Sequence, residues 1–485
     1  MKPIFSLPFL AISATATAIA ALPGVGPDYV RPAISTPANY REAATDVAWK
    51  TAEPADNAIR GEWWKLFADP VLDDLETRAL AANQDLRAAA ARVDQARAAA
   101  GFARSAGWPQ LALNPSLSRE RTSATTDNVF PTTQSTTYRA PLIASWEIDL
   151  FGRVRRLSES ARADAEASAA TFESVRLSLT GEVAGNYFSY RAAERELGLV
   201  RDTVALRRRA LDLISARFRS GSAAEFDVVR AETELATAEA ESASLANRHA
   251  ALRHALAVLV GEPASTFSLA AATHPSTVNP PDVPRGLPAE LLERRPDIAA
   301  AERALASANA RIGVAKAAFF PAISLTGSAG FASGDVDRLF TSDSRAWSIG
   351  PSLYLPIFQG GRNRANLERS RAAYDESVAL FRQQVLVAFR EVQDALTATQ
   401  FLAEQSAAQD RALASARRAT ALAQTRYDAG FVSYLEVIDA QRTSLAVERT
   451  SAQLAALRLN NSVALIKALG GGWKNAATVQ TVAQK

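Results

Sequence analysis

The chain has 485 residues, 48% hydrophobic and 22% charged, with a formal charge of +3 and no cysteine. Its length allows roughly two to four ordinary domains. The near-neutral balance, without any basic cluster interleaved with aromatics, excludes a nucleic-acid partner, and the missing thiols exclude disulfides, cysteine nucleophiles and cysteine metal sites.

Residues 1–20 read as a secretory signal peptide: one lysine, an apolar run, then small residues, with Ala18-Ile19-Ala20 as the cleavage pattern. An extended segment, 21–71, follows. No later stretch reaches about 18 uninterrupted apolar residues, so no transmembrane helix is expected.

From residue 72 the chain is written twice. The first unit, 72–261, opens with a helix over about 72–106 that ends at Trp108-Pro109. Two strand runs, about 110–122 and 137–150, come next. A very long helix runs from about Arg153 to Phe218, Gly221 breaks it, and another helix reaches Gly261. A proline-rich linker spans 262–288. The second unit, 289–472, repeats the order: a helix over about 289–318, strand runs at about 321–331 and 346–358, a long helix from about Arg362 to Tyr427, a break at Gly430, a last helix. A tail, 473–485, closes the chain. The offsets agree: 297 − 85 = 212 and 321 − 109 = 212 for Asp-to-Pro brackets, and 430 − 221 = 209 for Arg-Phe/Tyr-x-x-Gly. A period this long means tandem duplication, not a solenoid.

At 1.5 Å per residue, about 66 helical residues reach roughly 100 Å. In the first long helix Val183, Tyr190, Leu197, Val204, Leu211 and Phe218 recur by sevens, the seam of a left-handed coiled coil. The second keeps this register at Val378, Val385 and Val392. The strand runs alternate. Tyr138, Ala140, Leu142, Ala144, Trp146, Ile148 and Leu150 oppose Thr137, Arg139, Ser145, Glu147 and Asp149; Trp347, Ile349, Leu353, Leu355 and Ile357 oppose Ser348, Ser352 and Tyr354; Ile323, Leu325 and Phe331 oppose Ser324, Thr326 and Ser328. Each run is near the ~9–11 residues that cross a membrane as a tilted strand. The alternative is an ordinary half-buried soluble sheet. Four strands cannot close a barrel, and an open edge in lipid leaves backbone groups unpaired, so a membrane sheet requires several chains to share one barrel.

Five motifs then name a family. Val25-Gly26-Pro27-Asp28-Tyr29-x-Arg31-Pro32, Trp63-Trp64-x-x-Phe67-x-Asp69-Pro70, Trp146-Glu147-Ile148-Asp149-Leu150-Phe151-Gly152-Arg153, Arg294-Arg295-Pro296-Asp297-Ile298 and Pro356-Ile357-Phe358-x-Gly360-Gly361-Arg362 stand in order along nearly the whole chain. Together they resemble the outer membrane factors of tripartite efflux pumps, in the NodT branch, similar to OprM and more distantly to TolC. The resemblance implies an α+β membrane protein. Four strands per chain enter a shared trimeric twelve-stranded β-barrel, and the coiled-coil helices continue it as a periplasmic tube. It implies a passive exit duct for small molecules or drugs, fed by a periplasmic adaptor and an inner-membrane pump of the RND type. Members of this branch carry a lipidated cysteine where Pro23 stands, so an outer-membrane location without a lipid anchor is expected.

The resemblance also places a gate at the periplasmic tip. Asp439 and Glu436 match the pore-ring carboxylates, and Tyr427 and Asp227 match the closing network, while Val432 stands where the family has an arginine. Gly221, Gly430, Ser222 and Phe431 mark the tip turns facing the adaptor. Glu436 has a second reading, as the acid of a capping box Ser433-x-x-Glu436, like Ser222-x-x-Glu225 at the other break. No metal, cofactor or enzymatic constellation is expected: His249 and His254 are five apart, off one helical face, and His274 sits among prolines. A protein-secretion duct (type I), and a soluble coiled-coil scaffold or adhesin, are the alternative functions.

Overall fold

The computed structural model describes residues 24–33, 61–123, 134–269, 280–281 and 295–471. The expected signal peptide, Pro23, most of the first hairpin loop, Arg294, His274, the start of the helix expected from 289 and the tail from 473 lie outside them. The chain divides into two compact units: Met1–Ile34, Ala91–Ala169 and Ala300–Gln383 form one, and Ser35–Ala90, Ala170–Ala299 and Gln384–Lys485 the other.

The first unit holds an antiparallel sheet, in the order β1(Gln110–Leu113), β3(Gln134–Ile148), β4(Ala322–Ser333), β5(Arg345–Tyr354), with β2(Ser116–Arg121) also pairing β3. The expected single run at 110–122 is therefore split. Pro115 and Pro141 explain the split: neither has an N–H, so two donors are lost from one stretch of ladder. Asn114 bridges the gap, its N–H donating to the Pro141 carbonyl at 3.0 Å.

Register aligns one apolar face across the sheet. Leu113 faces Leu142, Leu142 faces Ala329, and Ala329 faces Trp347. Ile148, Ile323 and Leu353 follow on the same face. The opposite face carries hydroxyls: Ser324 lies 2.6 Å from Ser352, and Ser328 lies 2.9 Å from Ser348. Leu111, Leu113, Leu117, Trp347, Ile349 and Leu353 are all exposed. No described helix is long and apolar enough to cross a membrane.

The segment 24–33 is tied to this unit. Val25 N–H donates to the Phe151 carbonyl at 3.0 Å, Asn309 to Pro27 O at 3.0 Å, and Arg156 to Asp28 at 2.6 Å. Gly26 and Gly313 touch so closely that a Cβ on Gly26 would lie 2.6 Å from the Gly313 Cα, which accounts for glycine in the first motif.

The remaining helices are α1(Pro70–Ala82), α2(Gln84–Ser105), α3(Arg153–Arg219), α4(Glu225–Leu259), α5(Pro296–Ala317), α6(Arg362–Asp428) and α7(Tyr434–Ala468). α3 and α6 have 67 residues each, and α4 and α7 have 35 each. The helix expected over 72–106 is two helices. Asn83 interrupts it with an extended backbone, and its side chain accepts from Leu86 N–H at 2.9 Å while donating to the Leu259 carbonyl at 2.9 Å. At the corresponding position of the second half Arg295 donates to the Ala468 carbonyl at 3.1 Å. Burial pushes the Asp297 carboxyl up. The Arg295 hydrogen bonds and charge, joined by Ile298 N–H and Gln384, outweigh it and hold Asp297 below the usual carboxylate range.

The core of the second unit gathers Trp63, Trp64, Phe67, Leu72, Leu75, Val183, Tyr187, Phe188, Leu256 and Ile466. Asp69 explains the second motif. It caps α1, accepting from Val71 N–H at 2.9 Å and Leu72 N–H at 3.3 Å, and its other oxygen accepts from the Tyr187 hydroxyl at 2.6 Å.

Candidate functional site

Each long helix ends in the same turn. The Arg217 carbonyl accepts from Ser222 N–H at 2.8 Å and the Phe218 carbonyl from Gly221 N–H at 2.9 Å. In the other half the Arg426 carbonyl accepts from Phe431 N–H, and the Tyr427 carbonyl from Gly430 N–H, both at 2.9 Å. This six-to-one, five-to-two pattern needs a left-handed residue just past the helix. Gly221 supplies φ +75° and Gly430 φ +79°.

Beyond the turns neither capping box forms. Ala224, not Ser222, is the N-cap of α4, and the Ser222 hydroxyl lies 3.2 Å from that of Ser220. Ser433 is the N-cap of α7, but its hydroxyl accepts no cap hydrogen bond. Glu436 turns instead to Arg426, at 3.8 Å.

Tyr427 is held from the opposite half. Arg217 donates to its hydroxyl at 2.6 Å, and the guanidinium carbon stands 5.6 Å from the ring centroid. The Tyr434 ring tilts against it with centroids 5.3 Å apart. Burial pushes the Tyr434 hydroxyl up, against the pull of the neighbouring Arg207. Within one chain Asp227 does not reach Tyr427. Asp227 and Asp439 are both exposed, and among the described residues neither carboxylate has a partner. Phe431 projects into solvent at the turn.

Behind the tip lie charges that reading by motif missed. Glu234 of α4 is buried and accepts from Arg442 of α7, through Nε at 3.0 Å and through Nη2, with Arg207 of α3 at 3.7 Å. One heptad on, Arg449 pairs with Glu241 and approaches buried Glu196 at 3.7 Å, and Gln453 donates to Glu196 at 2.9 Å. Glu234 and Glu241 are seven apart, as are Arg442 and Arg449. That shared spacing was the available signal, and it puts both pairs on one seam of α4 and α7. Charge-assisted bonds of this kind fix three helices in register. Among the described residues, no group of three or more His, Asp or Glu could hold a metal.

Comparison with known proteins decides the family. The model for "Outer membrane efflux protein" matches residues 75–262 and 287–471. The chain belongs to the outer membrane efflux protein family. It is 39% identical over 412 residues to the solvent efflux pump outer membrane protein SrpC of Pseudomonas putida, covering 84% of this chain and 87% of that one. It is 33% identical over 476 residues to the cation efflux system protein CusC of Escherichia coli O6:H1, covering 98% and 100%. Among solved structures, the outer-membrane channel OprN matches with a TM-score of 0.83 at 33% identity, covering 93% of this chain and 99% of that one. The chain is thus an outer membrane efflux component, and its exposed apolar sheet face and long paired helices are those of a channel protein of that membrane.

Proposed function

We propose that three copies of this chain form one exit duct, with a shared twelve-stranded barrel in the outer membrane and a helical tube in the periplasm. The observation that carries it is the sheet. Its apolar face is exposed from Leu111 to Leu353, its other face is lined with hydroxyls, and among the described residues its outer strands, β1–β2 and β5, have no partner on one side. In lipid each unpaired backbone group costs several kcal/mol, and only a closed barrel removes such edges. The hydroxyl face then lines water and the apolar face meets lipid.

The two units of about 210 residues are copies of one ancestral unit, which gives each chain two hairpins and two long helices. A periplasmic adaptor grips the tip at Gly221, Ser222, Gly430 and Phe431, and an inner-membrane pump of the RND type supplies the energy. Arg217, Tyr427, Glu436, Asp439 and Asp227 form the gate. The Arg217–Tyr427 bond holds the helix pairs together, while threefold symmetry sets three Asp439 carboxylates about one axis. The cargo is a small molecule: the relatives span solvent and cation efflux, so the duct follows its pump in substrate choice.

Light scattering of the detergent-purified protein tests this. A mass of three chains is expected; a monodisperse monomer would overturn the reading.

A further inference from the structure

The apolar face of the sheet does not stay apolar to its end. On β2 the residues that continue the face of Leu117 are Arg119 and Arg121, opposite Thr136 and Gln134 of β3. Arg345 opens β5 on the same face, opposite Phe331. Glu120 falls on the hydroxyl face, opposite Ser135. Among the described residues no carboxylate pairs with Arg119, Arg121, Arg338 or Arg345. The partner of Arg119 is neutral: with its amide turned toward the guanidinium, the Gln134 oxygen accepts from Nε at 2.8 Å and from Nη2 at 3.0 Å. The guanidinium is held in place with its charge uncompensated.

The loop between β4 and β5 folds over this end of the same face. Its Phe340 packs on Phe331 of β4, with ring centroids 5.4 Å apart. The loop and β3 enclose a pocket of about 360 Å³, lined by Thr136, Tyr138, Asp335, Asp337 and Arg338. Its two β3 residues are two apart in sequence, so both belong to the face of Arg119 and Leu117.

Height places these groups. The long helices leave the sheet at Arg153 and Arg362, so in the barrel reading the strand ends at Arg121, Gln134, Ser333 and Arg345 point away from the periplasm. From Ile148 to Tyr138 is 148 − 138 = 10 residues, about 34 Å of strand and roughly 26 Å of height at a tilt of about 40°. The lipid-facing band of such a barrel is about 25 Å tall. Tyr138 marks its outer rim, and Arg119, Arg121 and the pocket stand at the level of the lipid headgroups.

We propose that this end of the sheet is a binding site for a phosphorylated glycolipid of the outer leaflet. The proposal rests on the barrel reading above and adds an occupant for its outer rim. Arg119, Arg121 and Arg338 take the phosphates, because a guanidinium offers paired N–H donors to phosphate oxygens. Asp335, Asp337 and the hydroxyls of Thr136 and Tyr138 bond sugar hydroxyls in the pocket. The acyl chains lie along Leu117, Phe331, Phe340 and Trp347; Phe340 is 73% exposed and Trp347 77%. An anionic lipid without a sugar engages the arginines but leaves the pocket unfilled.

Native mass spectrometry of the detergent-purified trimer tests this, with lipid A carrying both phosphates as the probe. The wild type is expected to retain up to three probe molecules per trimer. Dephosphorylated lipid A and phosphatidylglycerol are each expected to be retained at least tenfold less. R119Q/R121Q/R338Q changes only exposed side chains and is expected to lose the probe at least tenfold. R121Q alone gives an intermediate loss and carries the test if the triple variant does not assemble. R139Q removes one charge from the hydroxyl face and keeps the probe. Undiminished probe on the arginine variants, or equal retention of phosphatidylglycerol, in an intact trimer overturns the site while leaving the trimer standing. A wild-type monomer in detergent removes both.

Discussion

Arg217 and Tyr427 stand at the same point of the two long helices, and one holds the other: the guanidinium donates to the hydroxyl at 2.6 Å and lies 5.6 Å from the ring centroid. A bond between the last turns of α3 and α6 resists their separation. In an exposed setting, hydrogen bond and cation–π contact together amount to about 1–2 kcal/mol.

Tyr427→Phe removes the hydrogen bond and keeps the ring. Arg217→Ala removes both contacts. The expected order of single-channel conductance in planar bilayers is Arg217→Ala above Tyr427→Phe above wild type, with the trimer unchanged. Equal conductance in all three would show that the tip is held elsewhere.

Asp439→Ala addresses the charge ring. The carboxylate is exposed and has no partner among the described residues, so its removal should not disturb folding. Block of the channel by multivalent cations should weaken, with a half-blocking concentration raised by roughly tenfold, because the proposed ring of three carboxylates favours a bound cation. Unaltered block would make Asp439 an ordinary helix-surface residue.

The buried Glu234 is a matter of stability. Glu234→Ala leaves Arg207, itself buried, beside no counter-charge. Breaking a buried pair in this way costs about 3–5 kcal/mol, so thermal unfolding should move down by several degrees. Glu234→Gln keeps hydrogen-bonding capacity and should fall between. A Glu234→Ala protein as heat-stable as wild type would show that the triad does not anchor the helices.

Glu76 of α1 is fully buried, and neither carboxylate oxygen has a hydrogen-bond partner among the described residues. Burial, with the nearby Asp73 charge, pushes its pKa from 4.5 to about 9. The folded state therefore holds a proton that the unfolded state releases above about pH 4.5. The stability associated with Glu76 is full below that pH and is lost as pH rises through about 9. Glu76→Gln should flatten this slope, with a relative gain on the order of 3 kcal/mol at pH 7. Melting curves at pH 5 and pH 9 for both proteins provide the check; identical slopes would mean that another group carries the dependence.

Much of the fold was legible in the chain because it follows from periodicity. Helices expected from about Arg153 to Phe218 and Arg362 to Tyr427 are observed at Arg153–Arg219 and Arg362–Asp428, since uninterrupted helix-forming sequence between glycine stops leaves little else to form. The strand faces were equally legible, because alternation by two is a local property. Two features were not. Pro115 and Pro141 interrupt one ladder only because they lie near each other across it, and Asn83 ends a helix because it finds a carbonyl at Leu259, far along the chain. The tip divides in the same way. Its glycines follow from turn chemistry, but the partner of Tyr427 depends on which residue of the other long helix stands beside it. The capping boxes fitted the local pattern at Ser222 and Ser433, and the observed helix starts do not use those hydroxyls.

The central claim is that this protein is a channel, and conduction by the purified protein in a planar lipid bilayer tests it most directly. The account predicts discrete conductance steps of one size class, small in the wild type and larger in Arg217→Ala. A protein that inserts yet passes no current, in wild type and Arg217→Ala alike, would contradict it.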